Sequence, residues 1–189
     1  VAAGGDMPCG YHTQLDTVLT HDDGAFLWFH PRVAAVPGAG VHGAPAVIMT
    51  LQRHLHISDH YSGLYVMRTD TMGEAWTGPV LRPELDWVRD GEVDIAVADV
   101  TPGYHPQTGM VIALGAQVRY SASGAQLEDV PKAHQTACSI HNPATGTWTP
   151  WRRLDMPDEP EFNMARNACS QWLVKADGTL LVPLYHGRS

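Results

Sequence analysis

Two similar polar turns recur along this chain, and their spacing constrains its fold more than any other feature. The first reads MRTDTMGEAWTGP (67–79) and the second SIHNPATGTWTPW (139–151), so that Trp76 and Trp148 lie 72 residues apart. Two hairpin glycines, Gly109 and Gly178, repeat at the similar interval of 69 residues. A period of about 70 residues leaves room for four short strands and predicts a structural unit copied along the chain.

The segments between these turns have the composition of β-strands. Short apolar runs rich in β-branched and aromatic residues are separated by Gly, Pro, Asn and Asp, and apolar residues at helical spacing are scarce. The clearest runs are 25–30, 32–36, 45–52, 63–69, 94–100, 110–120, 136–142, 169–175 and 179–186. The chain is therefore predicted to be all-β, with four-stranded units typical of β-propeller blades.

The repeated Gly–Trp turns have a structural explanation. A blade is a small twisted sheet that cannot bury its faces alone, so a tryptophan at a fixed point of each blade can fill the gap between neighbours. The glycine before it permits a backbone conformation that a Cβ disfavours, and an Asp or Asn in the turn can bond its own backbone. We expect these turns to support the fold and to lie away from chemistry.

Composition and charge exclude several classes of protein. The chain of 189 residues is 44% hydrophobic and 17% charged, which suits a globular core. Its formal net charge is −8 and it has no run of Lys or Arg, so nucleic acid and anionic membrane surfaces are not expected as partners. No apolar run reaches the roughly 18 residues of a membrane span. The chain starts at Val1 and stops within a strand-like run, so both ends are expected to be cut.

No metal or cofactor is predicted. The three cysteines, Cys9, Cys138 and Cys169, give neither a disulfide framework nor a CxxC metal knuckle, and the redox compartment stays open. The histidines at 54, 56 and 60 lack a carboxylate or cysteine that would complete a known zinc spacing. The motif GAGVHG (38–43) is followed by Pro45 and a β-rich run, whereas a dinucleotide site needs a helix there.

The first turn and its context carry a resemblance to a known family. Thr69, Gly73 and Trp76 match the Asp-box pattern Ser-x-Asp-x-Gly-x-Thr-Trp, with the aspartate displaced to Asp70. Before it come FHPRVAAVPG, IMTLQR and HISDHYSG, in the order in which sialidases place a first arginine, a second arginine and an aspartate loop. Over residues 26–80 the chain resembles the sialidase-like, bacterial neuraminidase repeat superfamily.

The resemblance implies an architecture. Sialidases are six-bladed propellers, so the chain would hold about two and a half blades. Blade one would cover about 25–85, blade two about 90–155, and the start of blade three about 162–189. The partners implied are a carbohydrate substrate with a carboxylate and the missing C-terminal blades of the same propeller, and the resemblance favours a secreted or periplasmic protein.

The resemblance also implies a reaction, hydrolysis of a terminal acidic sugar by an exo-glycosidase. Arg32 corresponds to the arginine that grips the substrate carboxylate, Arg53 to the arginine after the second strand, and Asp59 to the acid/base carboxylate. A guanidinium suits a carboxylate because it forms planar, bidentate and permanently charged pairs. Sialidases use a tyrosine nucleophile, which would lie in later blades together with its glutamate.

Further polar residues are candidates for substrate binding. His56 and His60 share the loop of Asp59, Asp94 and Asp99 interrupt the apolar run EVDIAVADV, and Gln171 lies near a predicted strand end. Each also has a structural alternative. Asp59 and the histidines could be solvated loop residues, and the two aspartates could be edge-strand charges that discourage aggregation. Asp94 and Asp99 are five residues apart, so on a regular strand they would face opposite ways.

Two other functions remain open. A propeller polysaccharide lyase acting on a uronate would use a His/Tyr pair near an arginine. Its candidates are His56, His60, Tyr61, His105, Tyr120 and His134. A non-catalytic carbohydrate- or protein-binding propeller would need no such pair, and its function would survive Asp59→Asn.

Overall fold

The computed structural model describes residues 10, 12–55, 59–127, 136–162 and 165–186 of the chain. These residues form β-strands and three short 3₁₀ helices (Val41–Gly43, Pro83–Leu85 and Pro160–Phe162), which confirms the all-β prediction. The strands are β1 (Leu27–Val36), β2 (Ala46–His54), β3 (Tyr65–Thr69), β4 (Thr77–Leu81), β5 (Val88–Asp90), β6 (Val93–His105), β7 (Met110–Tyr120), β8 (Thr136–Asn142), β9 (Thr147–Trp148), β10 (Arg152–Arg153), β11 (Ala165–Arg166), β12 (Leu173–Val174), β13 (Leu180–Leu181) and β14 (Tyr185–His186). No helix in these ranges has the length and apolarity needed to cross a membrane.

The strands form several antiparallel sheets, none of which closes on itself within the described ranges. The first sheet has the order β1-β2-β3-β4. The second has the order β5-β6-β7-β8-β10, with β9 also paired to β8. Two small sheets follow, β11 with β14 and β12 with β13. In the first sheet every pairing joins strands that are neighbours in sequence, which local hairpin turns favour. In contrast, β8 also pairs with β10, and β11 pairs with β14, with the β12–β13 hairpin between them in sequence.

A β-bulge interrupts the first strand of the first sheet. Leu27–Phe29 pair with Gln52–His54, and the register then shifts so that Arg32 pairs with Thr50. The runs 25–30 and 32–36, predicted as two strands, are therefore one strand bent at His30 and Pro31. Proline has no backbone N–H, so a bulge is a place where a strand tolerates it.

The first strand of the second sheet has the same irregularity. The pairing of β6 with β7 shifts between Ala98 and Thr101, and it then continues through Pro102 to His105. The sequence analysis ends this strand at Val100, because proline and glycine follow. β5 pairs with β6 only as far as Ile95, so the edge of β6 that faces β5 is unpaired at Pro102. The N–H that proline lacks therefore costs no sheet hydrogen bond on that edge.

The main core lies between the first two sheets. Alternate residues of each sheet turn toward the other, as a half-buried sheet requires. The buried members of this core are Ala34, Val36, Ile48, Leu64, Val66, Leu85, Val97, Val100, Val111, Ala113, Ala137 and Trp148. The sequence placed a tryptophan of each repeated turn between neighbouring sheets. Trp148 is 6% exposed and belongs to this core, whereas Trp76 is partly buried beside Leu51, Tyr65 and Met67 of the first sheet.

The β12–β13 hairpin packs on the other face of the second sheet through Trp172, the residue just before β12. Its indole contacts the core formed by Leu114 and Cys138, and its Nε1–H donates to the carbonyl of Thr101 at 3.1 Å. A Cβ on Gly103 would lie 2.6 Å from the Trp172 ring. Glycine at position 103 is therefore what lets the ring lie against β6.

Candidate functional site

Three residues in the left-handed backbone region recur at the repeat interval. His30, Asp99 and Cys169 have φ angles of 54°, 55° and 55°, and they are separated by 69 and 70 residues. His30 and Asp99 lie at the bulges of β1 and β6, and Cys169 precedes β12. Positive φ is unfavourable for such residues and clusters at functional sites, so its repetition at equivalent positions marks this part of the fold.

The side chains of these three residues meet at one carboxylate. His30 Nε2 lies 3.3 Å from Asp99 Oδ1, and the thiol of Cys169 donates to the same oxygen at 2.9 Å. The backbone N–H of Cys169 also donates to the Asp99 carbonyl at 3.3 Å. Burial, and then the hydrogen bond to Asp99, raises the pKa of Cys169, so this residue is a neutral thiol rather than a thiolate at neutral pH.

Asp59 and Tyr61 extend this cluster. The Tyr61 hydroxyl donates to Asp59 Oδ1 at 3.1 Å, and the Tyr61 ring lies 4.9 Å from the ring of His30. Asp59 is exposed and has a φ of 55°, whereas Tyr61 is buried. Burial, with the neighbouring carboxylates of Asp59 and Asp99, raises the pKa of Tyr61, so its hydroxyl stays protonated and acts as a donor.

Arg32 and Gln171 line a cavity of about 330 Å³ next to the cluster. The Arg32 guanidinium also approaches the Cys169 thiol and opposes the rise in its pKa. Thr101 lines the same cavity, is 6% exposed, and its Oγ1 has no hydrogen-bond partner among the described residues. Arg32, Thr101 and Gln171 each lie two residues after one of the left-handed positions, so the cavity follows the same repeat.

His60 lies behind the loop rather than in the cavity. Its ring packs between Trp87 and Tyr120, with centroid distances of 5.6 and 4.7 Å, and both of its nitrogens are buried without a hydrogen-bond partner in the described part of the chain. Burial lowers the pKa of His60, so the ring is neutral at neutral pH. Its predicted contact with a substrate stays a prediction.

Arg53 and Asp94 lie outside this cluster. The Arg53 guanidinium packs on the rings of Phe26, Trp28 and Tyr65, with its carbon 4.3 to 5.5 Å from their centroids. Asp94 pairs with Arg89 at 2.6 Å in the β5–β6 hairpin. The substrate-binding roles predicted for both stay predictions.

The remaining candidates divide into two groups. His56 and His134 lie outside the described residues, so their predicted roles have no structural account. His105 is described. Its Nε2 is 2.8 Å from the Gly178 carbonyl and its Nδ1 is 2.9 Å from Thr108 Oγ1, so it links two hairpins. Within the described ranges, no group of three or more His, Cys, Asp or Glu residues is arranged to hold a metal ion.

The sequence analysis missed two members of the cluster, His30 and Cys169. Both are ordinary in sequence, and their positive φ cannot be deduced from the residue type. The sequence signal that could have found them is their spacing, because positions 30, 99 and 169 repeat at the same interval of about 70 residues as the turns. No family model matches the chain, and no curated protein is significantly similar to it.

Proposed function

We propose that this chain belongs to a sialidase-like β-propeller and contributes to an exo-glycosidase that hydrolyses a terminal acidic sugar. The observation that carries the proposal is the continuous set of contacts from Asp59 through Tyr61, His30 and Asp99 to Cys169 and Arg32. This set joins an exposed carboxylate to a guanidinium beside an open cavity. Glycoside hydrolysis of an acidic sugar needs those two groups, one for proton transfer and one for binding the substrate.

Each residue has a role in this proposal. Asp59 gives a proton to the leaving glycosidic oxygen and then takes one from the attacking water. Tyr61 orients the Asp59 carboxylate through its hydrogen bond. Arg32 binds the substrate carboxylate, and Gln171, which lines the same cavity, adds a donor. Asp99, held by His30 and Cys169, accepts hydrogen bonds from sugar hydroxyls. The nucleophile is not assigned to a described residue.

Further sheets of the same repeat complete the propeller in this proposal. The first two sheets share one core, and the second sheet shares another with Trp172 and Val174. The outward side of the β12–β13 hairpin is left open, with Leu173 63% and Leu181 58% exposed. A further blade would cover these leucines as each sheet covers the one before it.

The first test is turnover on a panel of acidic-sugar glycosides, including sialosides and glucuronides. The proposal predicts release of a free acidic sugar, with a loss of at least about a hundredfold in kcat for Asp59→Asn, because removing a positioned general acid costs about that much. The control is Asp177→Asn, an exposed aspartate in the hairpin that Gln107 contacts, and it should retain wild-type turnover.

A second candidate is a carbohydrate-binding propeller without catalysis. The observation that favours it is that the Asp99 carboxylate already accepts a hydrogen bond from the Cys169 thiol and lies 3.3 Å from His30 Nε2, as a structural carboxylate does. It predicts no turnover and equal, saturable sugar binding by wild type and Asp59→Asn. An unsaturated sugar product from a uronate polymer would instead identify a lyase. Either result would overturn the glycosidase proposal.

A further inference from the structure

The loop that carries Asp59 is held from outside its own sheet by the hydroxyl of Tyr120. Tyr120 is the last residue of β7, in the second sheet, and it is 1% exposed. Its hydroxyl donates to the Asp59 carbonyl at 2.7 Å and accepts from the Tyr61 N–H at 3.2 Å. One buried oxygen therefore bridges the main chain on both sides of His60.

Trp87 holds the same loop from a second direction. Its Nε1–H donates to the Tyr61 carbonyl at 2.9 Å. Trp87 lies just before β5, at the start of the second sheet. Together, Tyr120 and Trp87 bond the carbonyl of Asp59 and both main-chain groups of Tyr61. We call these two residues the aromatic clamp.

His60 fills the space inside the aromatic clamp. Its ring lies against both aromatic rings, and a Cβ on Gly124 would come within 2.5 Å of it. No described residue bonds either of its nitrogens, so the ring contributes packing here. The loop is thus fixed by main-chain hydrogen bonds at residues 59 and 61 and by burial of the side chain between them.

The aromatic clamp matters because Asp59 is strained. A non-glycine residue at a φ of 55° is disfavoured, and it persists only where its surroundings impose it. The Asp59 carbonyl is part of the peptide that sets this conformation, and Tyr120 is its hydrogen-bond donor. The direction of the Asp59 side chain therefore depends on a hydroxyl in the neighbouring sheet.

We propose that Tyr120 is the positioning residue for Asp59. Its hydroxyl keeps Asp59 in the left-handed conformation that brings the carboxylate to the Tyr61 hydroxyl, whose ring packs against His30. Trp87 supports the same geometry through Tyr61. The activity part of this inference rests on the proposed function, whereas the conformational part does not.

The test is Tyr120→Phe, which keeps the ring and removes both hydrogen bonds. We expect kcat to fall about tenfold to a hundredfold with KM changed less than about twofold, because a misplaced catalytic group costs rate rather than binding. Asp59→Asn should remove one limb of the pH–kcat profile, and in Tyr120→Phe that same limb should lie at a different pH. The Tyr61 amide should exchange with solvent at least about tenfold faster, since it loses its acceptor. Trp87→Phe should act in the same direction.

The matched control is Tyr104→Phe. Tyr104 lies partly buried in β6 and its hydroxyl has no hydrogen bond to any described residue. It should leave kcat, the pH profile and exchange of the Tyr61 amide unchanged. Unchanged Tyr61 exchange in Tyr120→Phe would overturn the inference. A loss of kcat equal to that in Tyr104→Phe, with no movement of the pH profile, would do the same.

The two proposals can fail separately. If wild type turns over no acidic glycoside, the proposed function fails, and amide exchange at Tyr61 alone decides the inference. Faster exchange in Tyr120→Phe but not in Tyr104→Phe then supports the aromatic clamp. If wild type is active and Tyr120→Phe equals it in kcat, pH profile and exchange, the inference fails and the proposed function stands.

Discussion

At the scale of the residue, His141 shows how burial sets a charge state. It is 5% exposed, stacks on Trp148 at 4.6 Å, and its Nδ1 lies 3.0 Å from the Thr147 carbonyl. Burial lowers the pKa of His141 to about 4, although the Thr147 carbonyl opposes the shift. The ring is therefore neutral in the folded protein at neutral pH.

This lowered pKa predicts a loss of stability in acid. The unfolded chain binds the His141 proton near pH 6.5, and the folded chain binds it only near pH 4, so the unfolded state holds more protons between these values. The free energy of unfolding should fall by about 3 kcal/mol as the pH drops through this window. Urea denaturation at several pH values measures it. His141→Gln should have a shallower pH dependence than wild type, and equal slopes would contradict the argument.

Arg53 shows what the alternation of a strand could and could not predict. Gln52, its neighbour, donates to the carbonyls of Ser62 and Val97 and so turns toward the second sheet. Arg53 must then turn to the opposite face, where its guanidinium packs on the rings of Phe26 and Trp28. The period of two was available in the sequence. The aromatic rings around the Arg53 guanidinium could not be predicted, because Phe26 reaches it only through tertiary packing.

At the scale of the element, the strands were predictable and their bulges were not. Apolar runs bounded by turn residues located the hairpin of β6 and β7, and its second strand, predicted at 110–120, lies at Met110–Tyr120. The bulges at His30 and Asp99 depend on pairing across the sheet, which no local pattern records. The Asp59 loop was found through a motif resemblance, whereas its contact with Tyr120 in another sheet could not be read from sequence.

The contact between Gly103 and Trp172 gives a prediction for how elements pack. Gly103→Ala would place a Cβ 2.6 to 3.1 Å from three atoms of the indole, so either the ring or β6 must move. We expect a loss of about 1–3 kcal/mol in the free energy of unfolding, as overpacking in a core usually costs.

Urea denaturation of Gly103→Ala measures this loss. The control is Gly10→Ala, because nothing lies within 4 Å of a Cβ at that position. A Gly103→Ala protein as stable as the control would show that the β12–β13 hairpin does not pack on β6 through Trp172.

At the scale of the whole molecule, the repeat explains both what is buried and what is left open. The sequence interval predicted successive units, and sheets of antiparallel strands follow one another along the chain. The number of blades and the closure of a propeller depend on contacts beyond these sheets. They were implied by the resemblance alone, and they stay proposals.

The open side of the β12–β13 hairpin predicts self-association. Leu173 and Leu181 face each other across the hairpin and are both exposed, so copies of the chain should associate through them. The double substitution Leu173→Lys with Leu181→Glu places opposite charges across the pair and should increase the monomer fraction in sedimentation velocity.

The control for this substitution is Leu15→Lys, because Leu15 is 96% exposed and lies in the segment before β1. It should leave association unchanged. A wild-type chain that is monomeric at every concentration tested would contradict the prediction.

An acidic sugar should bind where the left-handed residues of β1, β6 and the segment before β12 meet. The most direct measurement is an NMR titration of the ¹⁵N-labelled chain with free sialic acid, and with a neutral sugar as control. We expect saturable changes in the amide chemical shifts of Tyr61, Cys169 and Gln171 with the acid only, and these changes should be lost in Arg32→Met. Shifts confined to the hairpins around Gly109 and Gly178, or equal shifts with both sugars, would contradict this expectation.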